Sequence, residues 1–207
     1  IVYFFFAIIL DRNLFKEIEN LKNQFIIVPH NSDINVDDTF QVPNGVIKWF
    51  AQNVNVVDER IESIPIGLPN NRWHPNIERI KSIINGQKSI KNLLYVNHKI
   101  KTNIGERQEP YKLFSNKNWV TLENGIDYNS YLNNIYNHKF VLCPNGNGID
   151  THRLWECLYI KTIPIVKNNI NNSFYRDLPI CFVDNWNEIN SEFLESEYNR
   201  IINITWH

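Results

Sequence analysis

The chain has 207 residues, enough for one large domain or two modest ones with a sizeable core. Lys and Arg number 21 against 22 Asp and Glu, a formal net charge of −1, which argues against an electrostatic grip on nucleic acid or an anionic membrane. With 43% hydrophobic and 21% charged residues and only seven Gly, the composition excludes disordered, collagenous and disulfide-framework chains.

Asn occurs 33 times and Ile 30 times, an excess that an AT-rich genome produces without a functional cause. Cys143, Cys157 and Cys181 are odd in number and lack metal-ligand spacing, so we expect a reducing compartment, a cytoplasmic location and structural thiols. The sequons at Asn171 and Asn203 are expected by chance in so Asn-rich a chain. The chain holds no Met and begins at Ile1, from which we expect a missing upstream segment and a truncated or abbreviated amino-terminal part.

The apolar stretch Ile1–Leu10 is about half the roughly 20 residues that span a bilayer. It reads as a buried strand, and no membrane span is expected. The alternative, the tail of a removed anchor, is disfavoured by Asp11, Arg12 and the amphipathic Leu14–Leu21 stretch that follow. A helix near Leu14–Asn23, a strand at Phe25–Pro29 and a polar loop His30–Asp38 come next. A helix near Asn44–Asn53, strands at Asn55–Val57 and Ile64–Ile66, and a loop Gly67–Pro75 complete the first part.

After a helix or linker at Ile77–Lys91, strands are predicted at Leu93–Asn97, Trp119–Leu122, Lys139–Cys143, Ile163–Val166 and Ile180–Val183. Helical stretches separate or follow them at Arg107–Phe114, Tyr128–Tyr136, Thr151–Ile160, Ser173–Arg176 and Trp186–Ile202. This alternation predicts an α/β fold with a doubly wound parallel sheet, whose ligands bind beyond the carboxyl ends of the strands.

The strand at Lys139–Cys143 runs through Pro144-Asn145-Gly146-Asn147-Gly148-Ile149-Asp150 into the predicted helix from Thr151. Two glycines in such a turn let backbone N–H groups approach a ligand, and the helix start favours an anion such as a phosphate. The glycine spacing matches neither a Walker loop nor the dinucleotide fingerprint. Leu154, Trp155, Cys157, Leu158, Tyr159 and Ile160 put apolar groups nearly all round the helix, as in a buried helix. Arg153 and Glu156 stand out there, at neighbouring i and i+3 positions. Either they form an internal ion pair, or Arg153 contacts a diphosphate while Glu156 accepts hydrogen bonds from ribose hydroxyls.

The run FVLCPNGNGIDTHRLWECLYIKTIPIV (Phe140–Val166) resembles the nucleotide-sugar-binding motif of exostosin-like glycosyltransferases, a family with the GT-B fold of two Rossmann-like lobes. FIIVPHNSD (Phe25–Asp33), KWFAQNV (Lys48–Val54), IPIGLPNNRW (Ile64–Trp73) and LLYVNHKIKTN (Leu93–Asn103) are similar to segments of related proteins from bacteria and large DNA viruses. The resemblance implies sugar transfer from a nucleotide-diphosphate sugar to a glycan or protein acceptor. The donor would sit on a carboxyl-terminal lobe, residues 91–207, and the acceptor on an amino-terminal α/β lobe, residues 1–90. Arg153 would neutralise the diphosphate and stabilise the leaving group, and Glu156 would hold the ribose. Lys161 departs from the Gly that often follows the helix in such sequences, which concerns a helix cap more than chemistry.

Nucleotide contact is assigned to Asn145, Gly146, Asn147, Gly148, Asp150, Arg153 and Glu156, with Arg107 as a further phosphate ligand. Arg107 is preferred to Lys99 and Lys101, which fit a solvated basic turn equally well. The nucleoside diphosphate that leaves needs donors aimed at its growing charge, and a Gly-rich loop, a helix start and an Arg supply them without a metal. No Asp-x-Asp element is present, and Asp37-Asp38 is most simply a solvated loop, so metal independence is expected, with no cofactor beyond the donor co-substrate. If transfer inverts configuration, His30 is the first candidate for the acceptor-activating base and Asp33 the second. The opposing reading makes Asn31, Ser32 and Asp33 turn and cap formers and His30 a structural donor. Trp49, Phe50 and Trp73 offer aromatic faces, packing being favoured for the first two; Asn53, Asn70 and Asn71 carry no assignment. The rival to an enzyme is a catalytically incomplete nucleotide-sugar-binding module.

Overall fold

A computed structural model describes residues 2–7 as backbone, together with residues 16, 19, 20, 22–29, 32–70 and 77–204. Internal contacts divide the chain into two units. One comprises Ile1–Ile66, Asn147–Asp150 and Asn169–Phe174, and the other Gly67–Gly146, Thr151–Asn168 and Tyr175–His207. The first segment of the first unit ends at Ile66, and the helix α1 (Ile77–Ile84) belongs to the second unit.

The first unit holds a parallel sheet in the order β1-β2-β3-β4, formed by Val2–Ala7, Gln24–Pro29, Val46–Ala51 and Ile61–Ser63. The predicted helix at Asn44–Asn53 is corrected here to β3. Val46, Trp49 and Phe50 fit a helical face and a strand alike, and long-range pairing decides: Trp49 N–H donates to Arg60 O at 2.7 Å and Ile64 N–H to Ala51 O at 2.9 Å. Trp49 and Ala51 then point inside at the two-residue period, and a register shift against β2 places Val46 inside as well, with Ile47 exposed. The predicted strand at Asn55–Val57 is instead an isolated bridge between Val36 and Val54, and β4 lies three residues before the predicted Ile64–Ile66. The core gathers Phe25, Ile27, Val36, Phe40, Trp49 and Val54. Half of the predicted helix at Leu14–Asn23 lies outside the described residues, and Lys16 and Glu19 within it are helical.

The second unit follows the sequence closely. Its sheet comprises β5 (Asn92–Val96), β6 (Val120–Leu122), β7 (His138–Leu142), β8 (Ile163–Lys167) and β9 (Cys181–Val183), all parallel, in the order β6-β5-β7-β8-β9. Leu94, Tyr95 and Val96 are buried, as are Phe140, Val141 and Leu142, because strands covered on both faces exclude water from either side. Counted within the unit the order is 2-1-3-4-5, a common doubly wound arrangement, and its switch point lies between β5 and β7.

The crossovers carry α2 (Ile104–Phe114), α3 (Tyr128–Tyr136), α4 (His152–Tyr159) and the single turn α5 (Ile170–Ser173), whose residues belong to the first unit. The predicted helix at Trp186–Ile202 is two elements, a 3₁₀ turn at Trp186–Glu188 and α6 (Ser191–Ile201). Asn190 separates them, because its side chain accepts from Phe193 N–H at 2.8 Å and starts α6 afresh. Among the described residues no helix is long and apolar enough to cross a membrane.

Candidate functional site

In the second unit the site is built where the switch-point strands end. After β7, Asn145 and Gly146 turn back toward α2, and α2 holds them by side chains. Arg107 Nε donates to Asn145 O at 2.7 Å and Asn103 Nδ2 to Gly146 O at 2.8 Å. The same Asn103 amide caps α2, its oxygen accepting from Glu106 N–H at 3.3 Å. Arg107 also donates from Nη1 to Lys99 O at 3.2 Å, so this buried guanidinium spends two donors on the turns around it. Lys99 and Lys101 are exposed.

α4 begins with Thr151 in extended conformation and no side-chain cap, its carbonyl accepting from Leu154 N–H at 3.1 Å. Among the described residues, the N–H groups of Thr151, His152 and Arg153 find no protein acceptor. The His152 ring is occupied elsewhere, donating from Nδ1 to Gly67 O at 2.7 Å. The helix ends in a Schellman motif: Thr162 N–H donates to Cys157 O at 2.9 Å and Lys161 N–H to Leu158 O at 3.1 Å. Lys161 adopts φ 60°, the left-handed position where Gly carries no penalty.

Arg153 and Glu156 do not form an ion pair. Glu156 is 4% exposed and accepts from Tyr128 Oη on Oε1 and from Tyr131 Oη on Oε2, each at 2.7 Å. The half-buried Arg153 guanidinium lies 5.1 Å from the Tyr131 ring centre, and its buried Nη1 has no hydrogen-bond partner among the described residues. Burial works against the Arg153 charge, but the surrounding Tyr131, Cys143 and Glu156 outweigh it and raise the group above its ordinary value, so the guanidinium stays protonated. Burial and the Arg153 charge depress Arg107 to about 10, which records two guanidiniums in one another's field. Burial and the Glu156 charge push the Tyr128 hydroxyl upward, so it donates at neutral pH. The two tyrosines were not assigned from the sequence. The signal was their i, i+3 spacing at the start of a helix whose cap, Asp127, accepts from Asn129 and Ser130 N–H.

Past the end of β5, His98 is 1% exposed. Its Nε2 lies 2.9 Å from Arg107 O, and because a carbonyl only accepts, Nε2 carries the hydrogen. Nδ1 then keeps a lone pair, and among the described residues no atom donates to it. Burial, with the charges of Arg153 and Arg107, lowers His98 to about 4, so the ring is neutral.

The remaining loop residues belong to the first unit, where they are bound to its own chain. Asn53, at φ 56° and fully buried, donates from Nδ2 to Ser32 O at 2.7 Å and accepts from Asp150 N–H at 2.8 Å. Its amide packs on Gly148, where an added Cβ would sit 2.5 Å from Oδ1. The buried Asp150 accepts from Ile66 N–H at 2.6 Å. Gly148 and Asp150 are thus explained by packing and backbone satisfaction in this unit. Asn147 is exposed and donates to the exposed Asp33 at 3.3 Å, which brings two of the assigned residues together. Trp49 is fully buried and packs edge-on against Phe40. His30, Asn31, Asn71 and Trp73 lie outside the described residues.

Among the described residues no group of three His, Cys, Asp or Glu side chains is placed to hold a metal ion. No protein-family model matches the chain, and no curated protein matches it significantly.

Proposed function

We propose that the chain is a glycosyltransferase that moves a sugar from a nucleotide-diphosphate sugar to a glycan or other acceptor without a metal ion. One observation carries this reading: Arg153, whose Nη1 is buried and unpartnered, stands at the uncapped start of α4 in a doubly wound sheet. A buried cationic donor without a partner costs several kcal/mol unless a ligand completes it, and the free N–H groups beside it select an anion. Arg107 adds a second positive charge with no carboxylate bonded to it among the described residues. The diphosphate would lie at Arg153 and the first turn of α4, with Arg153 stabilising the charge that grows on the leaving group.

Glu156 has two lone-pair directions left after its tyrosine bonds, which suits paired ribose hydroxyls. For the base that activates an acceptor hydroxyl, His30 remains the first candidate and Asp33, in the first unit, the second. The test is calorimetric titration of UDP, GDP and their sugars into the native chain, Arg153→Ala and Glu156→Ala. Binding that the substitutions weaken at least tenfold supports the donor site. Sugar release or transfer separates the enzyme from a module that only binds. If every nucleotide ignores the native chain, or binds both variants as it binds the parent, the assignment is wrong.

A further inference from the structure

His98 stands apart from the groups used above. It is the first polar side chain beyond Asn97 at the end of β5, sits at the switch point, and is almost completely buried. Its Nε2–H is taken by Arg107 O, and Tyr111 meets the ring edge-on with centroids 6.0 Å apart. Both contacts hold the imidazole in place, and neither serves Nδ1. A buried acceptor left without a donor destabilises the fold, so an oriented ring with an unused lone pair needs an explanation.

We infer that His98 is a positioning residue for the donor, its Nδ1 accepting a hydrogen bond from a hydroxyl of the transferred sugar. The inference rests on the nucleotide-sugar reading and adds a hydroxyl-reading group to it. Two unpartnered buried atoms, Nη1 of Arg153 and Nδ1 of His98, have opposite demands, one for an anionic oxygen and the other for an O–H. The sugar-phosphate end of a nucleotide sugar carries both. Glu156 is one turn from Arg153 on α4 and suits the ribose, whereas His98 enters from β5 and lies in the field of Arg153 and Arg107, where the phosphates would be. The second acceptor therefore falls to the sugar beyond the diphosphate. A protonated imidazole offers no lone pair, and burial, helped by the neighbouring arginines, keeps the ring neutral for this task.

His98→Gln separates the two nitrogens, because its amide N–H can still donate to Arg107 O while its carbonyl oxygen, on a different frame from the ring, does not reproduce the direction of the Nδ1 lone pair. UDP, GDP, UDP-glucose, UDP-N-acetylglucosamine and GDP-mannose are titrated into the native chain and into this variant. The nucleotide sugar that the native chain prefers should lose about tenfold in affinity to His98→Gln, while its nucleoside diphosphate binds unchanged. The ¹⁵N signal of Nδ1 in the native chain should also move upfield on adding that sugar, but not on adding the diphosphate alone. Equal losses for both ligands, no loss for either, or a static Nδ1 signal overturns the inference while the donor reading stands. A native chain that binds no nucleotide overturns both.

Discussion

The Tyr131 hydroxyl donates to Glu156 Oε2 at 2.7 Å, and the face of the same ring lies 5.1 Å from the Arg153 guanidinium. One aromatic side chain thus serves both charges of α4 and keeps them from pairing. Glu156 is satisfied inside the protein by two neutral donors, and Arg153 is left with an open one. The two readings that the sequence permits are in this way separated: the internal ion pair is absent, and the charges have different partners.

Tyr131→Phe strips Glu156 of one hydrogen bond at a buried carboxylate. The expected cost is about 1.5–3 kcal/mol, read as a lower midpoint in urea denaturation. Tyr128→Phe should cost less, since Tyr128 is half-buried and water can replace its hydroxyl. Equal stability of both variants and the parent would show that the tyrosines do not support the carboxylate.

Arg153→Met removes a cation that the Tyr131 ring faces but that no carboxylate pairs among the described residues. Folding stability should stay within about 1 kcal/mol of the parent, because the lost contact with the Tyr131 face and the relieved desolvation oppose one another. Breaking a buried ion pair would instead cost about 3–5 kcal/mol. Thermal unfolding of this variant, with nucleotide titration beside it, distinguishes a side chain kept for a ligand from one kept for the fold.

Lys161→Gly should stabilise the chain by about 1 kcal/mol, since φ 60° is strained for a residue with a Cβ and the Schellman bonds need only backbone. For a chain of this size the melting temperature rises by about 2–4 °C. An unchanged or lower value would mean that the Lys161 side chain offsets its own strain.

Gly148→Ala places a Cβ 2.5 Å from Asn53 Oδ1, in a position where Asn53 is fixed by two hydrogen bonds. Destabilisation of about 1–3 kcal/mol is expected. Wild-type stability in this variant would remove the packing explanation for Gly148.

Below neutral pH, His98 should weaken the fold. Its folded value of about 4 lies below the ordinary 6.5, so between those values the unfolded chain holds a proton that the folded chain does not. Stability therefore rises with pH through this window and is lost as pH falls through it, with a total on the order of 3 kcal/mol. Burial also lowers His138, which adds in the same direction. His98→Gln should flatten the profile between pH 6.5 and 4 relative to the parent, and an identical slope would contradict the neutral buried ring.

The carboxyl-terminal sheet was legible before any coordinates, because its strands are short apolar runs that local helices and turns separate cleanly. Lys161 was legible too, as a residue standing where a helix cap prefers Gly. β3 was not, since a run such as Val46–Ala51 satisfies helical and strand spacing equally and only its partners on β2 and β4 choose. The composition of the α4 site was equally local: an arginine and a glutamate one turn apart on a greasy helix can be read from the chain alone. Which atoms they face cannot be read, because Tyr128 and Tyr131 come from another element, as do His98 and Arg107 in the field of Arg153, and the winding of the sheet brings them near. Spacing along a chain determines which groups share a face, whereas satisfaction of a buried charge depends on distances between elements, and those exist only once the chain has folded.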